Sequence, residues 1–314
     1  MSPLILWLLV LIISLAVLAK ASDIFIEAAE KIGLYLRLPA FIVGVTIVAI
    51  GTSLPELVSS VLAVLQNSSE IVFGNVVGSN IANIFLIIGA ASVLHRKLKI
   101  QFELIHVDLP LFVGSAFLWA LMVSDRHFSF FEALLCIAGY ITYSIYTVSS
   151  REQESAEACD LEPQTGFIWK QIGWIVLSAT AIFLGAKYTV ESVIELAEIL
   201  QIGTAVIAVS VVAIGTSLPE FFVSFSAARK GNIEIAVGNV LGSNIFNTLV
   251  VMGIPRLVGK LIIPPELLFH GMATMLAGTL MFFFVTQDKQ ITRWEGWLFF
   301  IFYLWFIGSL FEFI

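Results

Sequence analysis

The chain has 314 residues, 59% hydrophobic and only 12% charged, about half the charged fraction usual for a soluble domain. A mean hydropathy of +0.99 makes lipid the natural solvent for this much apolar surface, and a net charge of -7 excludes a nucleic-acid binder. The two cysteines, Cys136 and Cys159, and four scattered His suggest neither a disulfide framework nor a transition-metal site.

Ten apolar runs follow one another along the chain: Leu4–Ala19, Leu38–Leu65, Ile71–Leu94, Leu109–Ser124, Ala133–Ser150, Ile168–Ala186, Ile202–Ala228, Ile235–Pro255, Leu267–Gln287 and Gly296–Phe313. Each is near the roughly 17–25 residues a membrane helix needs. The first does not read as a cleaved signal peptide, because Met1-Ser2-Pro3 carries no Lys or Arg and Lys20 follows the run. Alternating the loops across a bilayer places twelve basic residues on one side: Lys20, Lys31, Arg37, Arg96, Lys97, Lys99, Arg151, Lys170, Arg229, Lys230, Lys289 and Arg293. The other side holds four, Arg126, Lys187, Arg256 and Lys260. The positive-inside rule then puts the first side in the cytoplasm and both termini outside. The longest polar stretch, Ser149–Gln164, is rich in Glu and Asp and reads as a solvated cytoplasmic linker.

The segment Gly44–Asn83 recurs as Ala208–Asn247 at a constant offset of 164, with 22 of 40 positions identical and no gap. Five spans precede the linker and five follow it. Five is odd, so the second copy enters the bilayer from the opposite face. The expected fold is therefore an all-α integral membrane protein of ten transmembrane helices in two inverted five-helix repeats. Residues 1–148 form the first repeat, 149–166 the linker and 167–314 the second. Inverted repeats are characteristic of secondary transporters, whose sites lie near the midplane.

Two polar clusters lie within apolar spans. Gly51-Thr52-Ser53-Leu54-Pro55-Glu56 is repeated as Gly215-Thr216-Ser217-Leu218-Pro219-Glu220. Pro55 and Pro219 each remove a backbone donor, which predicts kinked or unwound helix and free carbonyls beside them. Thr52, Ser53 and Glu56 share a helical face. Glu56 and Glu220 are acidic residues well inside spans. A lone carboxylate there costs several kcal/mol or more, so two facing each other demand a cation or a proton. Oxygen ligands without His or Cys select hard cations, and two carboxylates balance one Ca2+. Ser53-x-x-Glu56 also fits a helix capping box. The second cluster, Gly74-Asn75-Val76-Val77-Gly78-Ser79-Asn80-Ile81-Ala82-Asn83, is matched by Gly238-Asn239-Val240-Leu241-Gly242-Ser243-Asn244-Ile245-Phe246-Asn247. Ser79 and Asn83 share one face, as do Ser243 and Asn247, and Gly74 and Gly78 form a close-packing GxxxG. Glu70 and Glu234 stand where they interact with the positive helix starts.

The paired GTSLPE and GNVxGSNIxN segments resemble the two alpha repeats of the calcium/cation antiporter superfamily, in its sodium/calcium exchanger branch. The resemblance implies an antiporter with four overlapping cation sites between spans 2, 3, 7 and 8. In it, Glu56 and Glu220 bind Ca2+ and share in Na+ sites, and the Thr52 and Thr216 carbonyls join the Ca2+ site. Ser53, Ser79, Ser217 and Ser243, with the Ala49 and Ala213 carbonyls, complete the outer Na+ sites, and Asn83 and Asn247 line the centre. Many relatives carry Asp at one of these last two positions; Asn247 in place of Asp argues against K+ co-transport and leaves a fixed charge of at most -2. The expected protein needs no cofactor and performs no covalent chemistry. It works as a single chain in a prokaryotic inner membrane, with Ca2+, Na+ and lipid as its partners. Two alternatives stand beside Na+/Ca2+ exchange. In cation/proton exchange the same carboxylates take protons, although proton-coupled relatives usually have Asn where Thr52 and Thr216 stand. A cation channel would need a continuous pore and weak, multiple sites.

Overall fold

The computed structural model describes residues 3–95, 97–100, 102, 107–149, 167–199, 215 and 217–310. These residues form ten helical rods: α1 (Pro3–Tyr35), α2 (Ala40–Leu65), α3 (Glu70–Leu94), α4 (Asp108–Val123), α5 (Phe130–Ser149), α6 (Phe167–Ile199), α7 (Leu218–Arg229), α8 (Ile233–Val258), α9 (Pro265–Val285) and α10 (Arg293–Leu310). Seven of them are long and apolar enough to cross a bilayer; α4, α7 and α10 are shorter or more polar over their described lengths. The linker, Ala213 and Thr216 lie outside the described residues.

Helices α1 and α6 are each 33 residues long, about 50 Å at 1.5 Å per residue. Both outrun the apolar runs Leu4–Ala19 and Ile168–Ala186, because their amphipathic second halves pack on protein rather than ending at the lipid boundary. They occupy equivalent positions in the repeats, and they run antiparallel. Thr189 Oγ1 donates to Ser14 Oγ at 2.8 Å, Gly185 lies against Leu18, and Glu27 and Lys31 line one groove with Lys170 and Gln171.

Within each repeat the second and third helices form a hairpin. Helix α2 ends at Asn67 (φ 58°), with Ser68 N donating to Ala63 O and Asn67 N to Val64 O. Helix α7 ends in the same way at Gly231 (φ 87°), with Asn232 N donating to Ala227 O and Gly231 N to Ala228 O. Both are C-terminal caps built on one left-handed residue, and 67 and 231 differ by the repeat offset.

Helix α8, its site asparagines and serine included, is enclosed by protein over its whole apolar length, so it forms the centre of the bundle. Its Gly238 and Gly242 let α2 cross at contact distance: a Cβ at either would come within 2.5 Å of Phe41 O or Val45 O. Among the described residues Gly74 meets only Leu267 and Gly78 meets none within 4 Å; the repeat counterparts of Phe41 and Val45, Ala205 and Val209, lie outside them. Among the described residues, the tight crossing is the one made by the second copy of the motif. Around the outside, Leu, Ile, Val and Phe side chains are exposed along α1, α5, α6 and α10, with Trp169 and Trp294 exposed near helix starts. That is a lipid-facing belt with aromatic anchors.

One local expectation is corrected. The helix over Ala49–Leu65 runs through Pro55 without interruption. Irregular backbone appears instead as π-helical turns at Gly44–Val48, Asn83–Ile88 and Asn247–Val251. Two of them start at the repeat-equivalent Asn83 and Asn247. Turns of this kind widen the helix and concentrate at functional sites. Between the helices of this all-α fold, Lys97–Lys99 pairs antiparallel with Gln290–Thr292, Leu98 opposite Ile291. These segments join helices outside the apolar runs, where neighbouring extended backbones satisfy each other's polar groups.

Candidate cation-binding site

Helices α2, α3, α7 and α8 bring the two polar clusters together. Glu56, Thr52, Ser53 and Ala49 come from α2, Ser79 and Asn83 from α3, Ser217 and Glu220 from the start of α7, and Ser243 and Asn247 from α8. All ten are buried. Thr216 and Ala213, the remaining two of the expected set, lie outside the described residues.

Glu56 and Glu220 are 2% and 0% exposed, and each carboxyl lies within reach of the other's charge. Ser53 Oγ donates to Glu220 Oε1 across the repeats at 3.0 Å. Among the described residues, Glu220 Oε2, both Glu56 carboxyl oxygens, Ser217 Oγ, Asn83 Oδ1 and the whole Asn247 amide have no hydrogen-bond partner. Buried polar atoms are nearly always paired, and an unpaired buried carboxylate costs several kcal/mol. A convergent group of unpaired oxygens is what a hard cation requires.

The capping-box reading fails at both copies. Ser53 lies in mid-helix and bonds to the other repeat's glutamate. Ser217 does stand at the N-cap of α7, but makes no side-chain cap hydrogen bond. Glu70 and Glu234 occupy first turns as expected; Glu234 Oε1 additionally accepts the Phe102 N–H at 2.9 Å.

Four further asparagines, within the motifs but outside the expected ligand set, organise the site. Asn80 and Asn244 donate to each other's backbone carbonyls at 3.5 and 3.3 Å. This reciprocal exchange between positions 164 apart marks the pseudo-two-fold axis. Asn83 Nδ2 donates to Asn244 Oδ1 at 2.9 Å. Asn239 Nδ2 donates to Ser224 Oγ at 2.8 Å, while its Oδ1 accepts from Thr52 Oγ1 at 3.2 Å and from Ser243 Oγ at 3.5 Å. Asn75 Nδ2 donates to Ser60 Oγ at 3.4 Å. The signal for these residues was present: each asparagine, and Ser60 with Ser224, is identical in both repeats.

The two ends of the site differ. A cavity of about 340 Å3 reaches Glu56, lined also by Ser59, Ser60, Asn75, Lys187 and Pro219, and it meets the surface beside the exposed Ser59, Ile71 and Lys187. At the opposite end α1 is fastened to α7. Asp23 carboxylate oxygens accept from Arg229 Nη2 at 2.8 Å each and from Ser226 Oγ, Lys230 Nζ donates to Asp23 O at 2.7 Å, and Asn232 Nδ2 donates to Glu30 Oε1. The repeat equivalents of Asp23 and Arg229 are Lys187 and Leu65, so this fastening has no counterpart at the cavity end.

The family model for the sodium/calcium exchanger protein matches residues 6–149 and 170–311. A sodium/calcium exchanger of Methanosarcina acetivorans, MaX1, is 36% identical, covering 96% of this chain and 98% of that one. The inner membrane protein YrbG of Escherichia coli is 30% identical, covering 87% and 86% respectively. Solved structures of the sodium-calcium exchanger NCX_Mj superpose with a TM-score of 0.85 at 27% identity, covering 98% of this chain and 99% of that one. With a paired-glutamate site at the crossing of two repeats and these matches over nearly its whole length, the chain belongs to the sodium/calcium exchanger family.

Proposed function

We propose that the protein is a secondary antiporter that exchanges Na+ for Ca2+ across the membrane by alternating access. The observation that carries this reading is the buried, mutually facing pair Glu56 and Glu220, surrounded by oxygens without hydrogen-bond partners among the described residues and able to carry at most a combined charge of -2. One Ca2+ neutralises the pair; Na+ ions do so in turn. The empty site would bury two uncompensated carboxylates, so a transition without cargo is costly, and exchange follows from that cost. The division of labour supports the same reading. All of the described expected ligands sit on α2, α3, α7 and α8, whereas α1 and α6 pack on each other and contribute none. The α1–α6 pair is thus the body that slides, with the cavity open at one end and the Asp23–Arg229 contact closed at the other.

The twelve-to-four distribution of Lys and Arg supports placing the closed end in the cytoplasm and the cavity and both termini outside, and the short loops support a prokaryotic inner membrane. Residues 1–148 and 167–314 then act as two inverted halves of a single-chain unit. Asn247 supports K+-independent exchange.

The test is Ca2+ uptake into proteoliposomes under separately imposed Na+ and H+ gradients. Uptake driven by outward Na+ and saturating with Ca2+ is expected. Uptake driven only by H+, or flux that needs no counter-ion, would replace this reading with proton exchange or a channel. Impermeant labelling of cysteines placed near Met1 and Ile314, but not near Glu157, in intact cells tests the orientation.

A further inference from the structure

Unpaired buried oxygens around the site extend beyond the expected ligands. Two belong to Asn75 and Asn80. Asn80 lies on the axis, its amide nitrogen held by Thr248 Oγ1 at 3.0 Å. Asn75 is different, because it also lines the cavity that leads to Glu56. Its Nδ2 donates to Ser60 Oγ, which orients the amide and, among the described residues, leaves Oδ1 without a partner although the residue is 5% exposed. Ser60 lies four residues beyond Glu56 on α2, one helical turn or about 6 Å towards the mouth. Ser59, also on the cavity wall, spends its proton on Glu56 O at 3.0 Å and keeps its oxygen lone pairs. A cation entering the cavity therefore meets neutral oxygens before it meets the carboxylate.

The repeat-related residues show the opposite state. Asn239 and Ser224 are joined at 2.8 Å, and Asn239 Oδ1 is occupied by the Thr52 and Ser243 hydroxyls. Among the described residues, the same two residue types are thus saturated at one end of the site and unsaturated at the end where the cavity opens.

We propose that Asn75 and Ser60 form an outer cation subsite. There an entering Na+ or Ca2+, still partly hydrated, exchanges water for protein oxygens one turn before Glu56. A neutral amide oxygen suits this step, because it is an ordinary ligand for hard cations and lacks the charge that would hold the ion and slow its passage. Lys187, on the same cavity wall, keeps its ammonium group over the Tyr188 ring, 5.8 Å from its centroid, on the exposed side of the entrance. The inference rests on the exchanger reading above and adds a ligand group to its access route.

The test compares half-saturating Ca2+ and Na+ concentrations from each face, using right-side-out and everted membrane vesicles. Asn75→Ala is expected to raise both concentrations about fivefold from the cavity side, the effect of one lost neutral polar contact. From the other side they should change less than twofold. A residue that only supports packing would shift both faces together. Asn75→Asp, nearly isosteric, covers the case in which the alanine variant does not insert: it is expected to lower the half-saturating Ca2+ concentration from the cavity side alone and to slow turnover. Unchanged values from both faces, or equal shifts from both, in either variant overturn the subsite. If the parent protein itself shows no Na+-driven Ca2+ flux, the exchanger reading fails and the subsite falls with it; normal parental flux with indifferent Asn75 variants rejects the subsite alone.

Discussion

Replacing one carboxylate by its amide probes the site most directly. Glu56→Gln and Glu220→Gln keep side-chain volume and remove one charge each. In the parent, Glu56 has two unpaired carboxyl oxygens and Glu220 one, beside the oxygen that accepts from Ser53. Bound Ca2+ faces a total charge of -2 and leaves the buried site neutral; after either substitution it faces -1 and leaves a buried positive charge. Breaking a buried, compensated charge arrangement on one side costs about 3–5 kcal/mol. At 1.4 kcal/mol per decade that is roughly a thousandfold loss of Ca2+ affinity. Two measurements follow. Na+-driven Ca2+ uptake should vanish in both variants at Ca2+ concentrations that half-saturate the parent. Thermal stabilisation by Ca2+, set by the ratio of concentration to dissociation constant, should be clear in the parent and lost in the variants. Glu70→Gln, in the first turn of α3, is the control and should keep substantial exchange. The reasoning is refuted if both Glu56→Gln and Glu220→Gln transport Ca2+ as the parent does, because the carboxylates would then be packing elements.

Asn247 has no hydrogen-bond partner among the described residues and lies where an added charge reaches the central position. Asn247→Asp should alter the Na+ dependence, or introduce a K+ dependence, more than it alters Ca2+ binding, and identical Na+ and K+ dependence in the variant would count against this role. The Asp23–Arg229 pair is half exposed, so it is worth about 1 kcal/mol. Asp23→Asn should therefore change the ratio of rates measured from the two faces about fivefold, and the exchange Asp23→Arg with Arg229→Asp should restore part of it; a ratio unmoved by Asp23→Asn would show that the contact does not bias the two states. Gly242→Val should lower the thermal midpoint or prevent insertion, because a Cβ there meets Val45 O at 2.5 Å; a variant that inserts and melts like the parent would contradict the α2–α8 crossing.

Much of this protein is legible from its residues alone. Membrane residence follows from composition, since so few polar side chains cannot cover a water-facing surface. The antiparallel relation of α1 and α6 follows from an odd number of spans per repeat. Glu56 and Glu220 stand out because an ionisable group inside an apolar run needs a partner that the local sequence does not supply. What the sequence withheld is whatever depends on which state the two nearly equivalent halves adopt. Identical motifs predict identical environments, yet among the described residues the Asn239 amide is saturated while the Asn75 oxygen has no partner. Two copies of one motif cannot both be open and both be closed in a protein whose repeats alternate. Only tertiary packing decides which copy is which. The same holds for the helix irregularity: Pro55 marks a missing donor, but the packing of α2 against α8 moves the irregular turn to Gly44–Val48. Local sequence specifies which groups are costly to bury; the arrangement of helices around them determines where each cost is relieved.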